Sequence, residues 1–202
     1  VLAQATGMSG VLFAAIAACL PILVTGGIHM DGYLDTVDAL SSHQTCEKKL
    51  AIMKDANCGA FAVIYGGVYL LAYAGFAYEV FAAGHILLIC PLFVLSRALS
   101  GLCAVNLPNA RKSGMLCAFT SGVQRRTATV ALTLVGLAAA AGMVWMSPTA
   151  GGMAAAFVVV SALKYRRFAL AQFGGVTGDT SGFFLQLCEL CGLIGIWIGG
   201  LL

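Results

Sequence analysis

Five runs of apolar residues, at 7–26, 57–78, 82–105, 128–147 and 182–202, are each long enough to cross a bilayer, which takes about 20 residues of helix. A sixth, shorter run at 149–163 follows the turn Ser147-Pro148-Thr149 and pairs with its predecessor as a helical hairpin. In lipid the backbone polar groups must be satisfied within a helix or a closed barrel. The pattern therefore predicts an all-α, polytopic membrane bundle of about six spans. Composition agrees: 60% of the 202 residues are hydrophobic and 9% charged, against about 25% charged in a soluble domain. Mean hydropathy is +0.95. Pro21 and Pro91 fall inside runs and are expected to kink them. The small-residue stretches 136–142 and 149–156 suit close helix packing in lipid. No repeat or linker divides the chain, which reads as one membrane domain over 1–202. It starts at Val1 with no basic stretch or cleavage site, so no signal peptide is expected.

Charge orients the bundle. Ten of the eleven basic residues fall in three polar stretches: Lys48, Lys49 and Lys54; Arg111, Lys112, Arg125 and Arg126; Lys164, Arg166 and Arg167. Six spans put all three on one side, and the positive-inside rule makes that side cytoplasmic in a cell inner membrane. The opposite side carries only Glu79 and His85. Arg97 and Glu189 lie within spans, about two turns from the basic side. A charge at that depth is costly. The two either pair with each other or form the floor of a site open to the cytoplasm.

The densest charge is in Gly26–Ser42, GGIHMDGYLDTVDALSS, where Asp31, Asp35 and Asp38 supply three of only eight carboxylates. Positions i, i+4 and i+7 share one helix face. Three like charges there repel unless a cation sits among them, and oxygen ligands favour Mg²⁺, completed by water and a substrate phosphate. An N-cap would need one carboxylate, not three. Gly26, Gly27 and Gly32 let the backbone approach closely. His29, beside the aspartates, is a candidate base. Nearby carboxylates are expected to raise its pKa, which opposes that role; bound metal would lower it again, and an aspartate is the alternative base.

Further along, Lys54 and Asp55 precede a span, where one suits phosphate and the other a metal site. Arg111 and Lys112 occupy the loop LPNARKSG. The glycine-rich loop GGVTGDTSG (174–182) is neither a P-loop nor a dinucleotide fingerprint, yet it offers N–H groups to an anion, with Asp179 as a further acid. Tyr65, Tyr69 and Tyr73, at i, i+4 and i+8, read as helix packing. The eight cysteines lack metal spacing; even Cys188 and Cys191, a CxxC pair in an apolar run, read as small, reduced side chains.

The stretches GGIHMDGYLDTVDAL, LAIMKDANCGAFA, LSRALS, NARKSGM and GGVTGDTSGFFLQLCEL, in this order, resemble the cobalamin synthase (adenosylcobinamide-GDP ribazoletransferase) family from about residue 26 onward. Family members usually have a further N-terminal segment with a helix, which this sequence lacks. Ala39 and Ala62 stand where the family commonly has Gly. Gln186 holds a position usually acidic, while Glu189 keeps the next one. The resemblance implies an Mg²⁺-dependent membrane transferase in which the 3′-hydroxyl of α-ribazole, or of its 5′-phosphate, attacks GDP-activated adenosylcobinamide and GMP leaves. His29, Asp31, Asp35 and Asp38 are then the catalytic candidates, the three aspartates as metal ligands. Lys54, Asp55, Arg97, Arg111, Asp179 and Glu189 are the substrate-binding candidates. Implied partners are nucleotide and corrinoid substrates, membrane lipid and other corrinoid-pathway enzymes at the membrane; no nucleic acid is expected.

Other readings compete. A CDP-alcohol phosphotransferase would carry Ala-Arg where Leu34-Asp35 stands, and a prenyltransferase needs a second acidic motif, for which only Asp179 is available. A transporter lined by Arg97 and Glu189 is opposed by the near absence of charge on one side.

Overall fold

The structure, a computed structural model, describes residues 7–202; the expectation of no signal peptide concerns residues outside these. The elements are α1 (Gly10–Val24), α2 (Ile28–Ser41), α3 (Cys46–Ile52), α4 (Ala60–Ala82), α5 (Ile89–Asn106), α6 (Met115–Ser121), α7 (Arg125–Met146), α8 (Pro148–Phe173) and α9 (Gly178–Gly200), with a 3₁₀ turn at Ile86–Leu88 before α5. The fold is all-α and polytopic. Among the described residues four helical segments are long and apolar enough to span a membrane: Ala60–Ala82, Ile86–Asn106, Arg125–Met146 and Gly178–Gly200. Counting the bent pair α1–α2 as one span makes five, against about six expected. The remaining helix is α8, which at 26 residues is long enough to cross beside α7 and falls short only in apolar content, carrying Lys164, Arg166 and Arg167 in its second half.

The bend between α1 and α2 is 92°. Ser9 starts α1 by accepting the Leu12 N–H at 3.2 Å. Pro21 sits in the last turns of α1, but the sharp reversal is at Gly26 and Gly27, with φ of 63° and 80°. Both need the left-handed region that glycine enters freely. α1 alone, 15 residues or ~22 Å long, is shorter than a hydrocarbon core of about 30 Å. From its end α2 packs against α9 and α4. Pro91 does not kink its span. It is the third residue of α5, within the first turn, where N–H groups have no helical acceptor.

Small residues set the tightest helix contacts. α7 turns directly into α8 at Ser147, and Gly151 lies against the Met143 carbonyl with no room for a Cβ. Gly195 and Gly199 of α9, at i and i+4, bring its backbone onto Ala154 and Ala150 of α8; a Cβ on either would lie 2.7 or 2.6 Å from the facing Cα. This is the small-xxx-small packing that replaces hydrophobic drive in lipid. Gly136 likewise packs on Ala98 of α5. Tyr69 and Tyr73 are buried as helix packing, while Tyr65 is exposed. Among the described residues all eight cysteines are free thiols.

Candidate active site

Two glycines place the acidic helix. A Cβ on Gly32 would lie 2.7 Å from both Cα and O of Asp179, and one on Gly182 2.8 Å from the His29 carbonyl oxygen. α2 and the first turns of α9 therefore cross backbone to backbone, which sets Asp179 beside Asp31 and Asp35. Thr177 and Thr180 fix the start of α9 through a reciprocal capping box, Thr180 N–H to Thr177 Oγ1 at 3.1 Å and Thr177 N–H to Thr180 Oγ1 at 2.8 Å. Asp179 in that first turn faces the positive end of the helix dipole.

The loop at 107–114 is stitched to the glycine-rich loop. Val176 N–H donates to Pro108 O and Ala110 N–H to Val176 O, both at 2.9 Å, forming an isolated parallel bridge between Asn109 and Val176. Gly175 permits it, because a Cβ there would collide with the Pro108 carbonyl. The stitch delivers Arg111, whose Nη1 donates to Asp179 Oδ2 at 2.9 Å and Nη2 to Leu50 O, at the end of α3, at 3.1 Å. Arg111 Nε is buried without a partner. A cavity of about 90 Å³ lies here, lined by Asn109, Arg111, Ser113, Gly178 and Asp179 among others.

The three α2 carboxylates fare differently. Asp31 is exposed, beside an open crevice of about 490 Å³ at the α1–α2 bend. Asp35 is half-buried, and burial, then the charges of Asp31, Asp179 and Asp38, push its pKa up to about 6 despite Arg111. Asp38 is engaged elsewhere: its Oδ2 accepts the Gly59 N–H at 2.6 Å and its Oδ1 the Ala62 N–H at 2.8 Å. It caps α4, whose own N-cap is a glycine with no side chain. Sequence reasoning missed this cap, although Gly59 before an apolar span, with no Ser, Thr or Asp to cap it, was the signal.

His29 is half-buried, and its pKa is lowered, by burial first and then by the charge of Arg97. This corrects the expected rise: Arg97 and desolvation, not the aspartates, dominate its surroundings, so the imidazole stays neutral at pH 7. Arg97 and Glu189 form an ion pair. Arg97 Nη1 also donates to Ser96 Oγ at 2.9 Å, and the guanidinium lies 5.1 Å over the Phe93 ring. Glu189 is 2% exposed, and this partner is what makes its burial tolerable. Gln186, the non-acidic departure, is buried and accepts the Tyr69 hydroxyl. Arg97→Met is expected to destabilise by about 3 kcal/mol, because it leaves the buried Glu189 carboxylate without its cation, and Arg97→Met with Glu189→Met by much less. Equilibrium unfolding in micelles checks this as a double-mutant cycle.

Lys54 and Asp55 stand apart, both exposed in the segment before α4. Asp55 accepts the backbone and side-chain N–H groups of Asn57, at 3.0 and 2.8 Å, which hold its carboxyl below the usual carboxylate range. Lys54 makes no ion pair among the described residues. Also among the described residues, no three His, Cys, Asp or Glu side chains form a ready-made metal cage.

An all-α bundle of long apolar helices, with an acidic helix packed beside the loop that carries Arg111, defines a polytopic membrane protein. The sequence profile of the cobalamin-5-phosphate synthase family matches residues 1–197, and the chain belongs to that family of transferases of cobalamin biosynthesis. An adenosylcobinamide-GDP ribazoletransferase of Lachnoclostridium phytofermentans is 41% identical over 185 residues, covering 91% of this chain and 70% of that protein. Those of Geobacillus sp. and Pseudomonas fluorescens are 32% and 31% identical, covering 93% and 92% of this chain and 73% and 75% of theirs. No solved structure matches.

Proposed function

We propose that this chain, as one membrane-embedded domain, joins GDP-activated adenosylcobinamide to α-ribazole or its 5′-phosphate and releases GMP. The observation that carries the reading is the meeting of Asp31, Asp35 and Asp179 with Arg111 at the α2–α9 crossing. Crowded anions that raise Asp35 call for a cation, and oxygen-only donors suit Mg²⁺. Asp31 and Asp35 would hold it, with water and substrate phosphates completing the shell, since Mg²⁺ needs only one or two carboxylates. Asp38, expected from the sequence as a third ligand, serves instead as the brace between α2 and α4. When bound, Mg²⁺ neutralises charge developing on the phosphoryl oxygens.

The chain's own residues supply the rest. Arg111 offers donors to phosphate, its unpartnered Nε among them, on exchanging Asp179 for the substrate. The acceptor hydroxyl oxygen bonds to the phosphorus nearer the corrinoid, and the bond to the GMP oxygen breaks with its electron pair going to GMP. The hydroxyl proton passes to Nδ1 or Nε2 of His29, which is neutral and so able to take it. Arg97 and Glu189 form the floor beneath His29. The basic face is cytoplasmic by the positive-inside rule, where nucleotide substrates are found.

The test is GMP release from the GDP-activated corrinoid by purified protein, with and without Mg²⁺ and acceptor, beside solute flux in proteoliposomes. Flux without GMP release would overturn the reading. A lowered His29 pKa moves the acidic limb of kcat to lower pH than an ordinary imidazole would give. His29→Gln is expected to lose that limb at unchanged Mg²⁺ affinity; an identical profile with weaker substrate affinity would remove His29 from the chemistry.

A further inference from the structure

Outside the acidic site, one crevice combines apolar walls with a single charge. It lies between α8 and α9, has a volume of about 290 Å³, and is walled by Phe168, Phe183, Leu187 and Cys191, with Ser161 and Lys164 along the α8 side. Its polar groups are accounted for except one. Ser161 Oγ donates to Phe157 O at 2.8 Å, and the hydroxyl of the adjoining Tyr165 donates to Thr180 Oγ1 at 3.1 Å. Lys164 is exposed and has neither an ion-pair nor a hydrogen-bond partner among the described residues.

Depth decides what can meet Lys164. It lies 16 residues after Pro148, the start of α8, or ~24 Å along the helix, near the far boundary of a hydrocarbon core of about 30 Å. Arg166 and Arg167 follow at once, both exposed. A cation at this level over an apolar, aromatic slot matches an anionic headgroup above an acyl chain, and basic pockets between spans bind such headgroups. A soluble peptide has no access to that depth.

We propose that the α8–α9 crevice seats one anionic phospholipid of the leaflet on the basic face, its acyl chain against Phe168 and Phe183 and its phosphate on Lys164. The consequence reaches the acidic helix. Phe183 stacks on Phe168 at 5.2 Å between centroids and, on α2, on Tyr33 at 5.6 Å. Tyr33 is two residues from both Asp31 and Asp35, so a chain filling the slot steadies the rings that support α2.

Native mass spectrometry of the detergent-purified protein, titrated with phosphatidylglycerol or with phosphatidylcholine of the same acyl chains, tests this without reference to turnover. Its failure is therefore separable from failure of the catalytic reading. One phosphatidylglycerol is expected to be retained in preference to phosphatidylcholine. Lys164→Gln should cut that preference about fivefold, the effect of one cation near an anionic surface, and Cys191→Phe, which fills the slot, should lower retention of both lipids. Equal retention of the two lipids by the wild type, or undiminished preference in Lys164→Gln, would overturn the proposal. Undiminished retention in Cys191→Phe would do the same.

Discussion

Asp35→Asn is expected to lower turnover about a thousandfold while making the metal-free protein more stable. The loss follows from removing a carboxylate of the proposed cation site: several kcal/mol of transition-state stabilisation is about three powers of ten in rate. The gain follows from the pKa of about 6 that burial and three neighbouring carboxylates impose. An aspartate free in water titrates at about 3.9, so between pH 4 and 6 the folded protein binds more protons than the unfolded chain. Stability then falls as pH rises through that window, and the penalty is complete above it. Asparagine keeps the shape and removes the charge, so the slope disappears. Melting temperature from pH 4 to 8 in chelator, with GMP release measured in Mg²⁺, checks both halves. A variant that is less stable than wild type at pH 7 in chelator, or that keeps its turnover, would contradict the role given to this carboxylate.

Gly32→Ala adds one methyl group and is expected to cost about a hundredfold in kcat. The new Cβ would stand 2.7 Å from Cα and O of Asp179, and neither is the tip of a side chain that can swing aside. The helices must part, at a cost of about 1–3 kcal/mol for overpacking. Parting moves Asp179 and Arg111 away from Asp31 and Asp35, and displacement of catalytic groups by about 1 Å carries losses of this order. Gly67→Ala in α4 is the control. Nothing lies within 4 Å of its Cβ position, so the helix gains up to about 1 kcal/mol in propensity and activity is unchanged. Steady-state kinetics and unfolding of the two variants side by side decide it; equal behaviour would mean that the crossing does not set the site.

The fold class was legible because lipid leaves a chain few choices. Long apolar runs must become helices, and the stretches 136–142 and 149–156 mark where helices meet. The acidic face was legible because three aspartates at helical spacing have no cheap structural explanation. The span count was less so, since α8 mixes a lipid-facing half with a charged end and the α1–α2 bend interrupts what reads as one run. Roles that depend on partners distant in sequence were not legible at all. Asp38 looks like Asp35 on paper, yet Gly59 and Ala62, more than twenty residues on, occupy both its oxygens. His29 looked anion-bound by its near neighbours, and only the fold sets Arg97 beside it.

Periodicity, which acts locally, thus determined by itself an all-α membrane bundle with three aspartates on one helix face. Tertiary structure alone decided which acids meet. Gly32 and Gly182 bring two helix backbones into contact, Gly175 stitches the Arg111 loop to the start of α9, and Asp179 is set beside Asp31 and Asp35 from some 140 residues away. The physical reason is that electrostatic environment falls off over ångströms of space, not positions of sequence, so each group's pKa and partner belong to the packing.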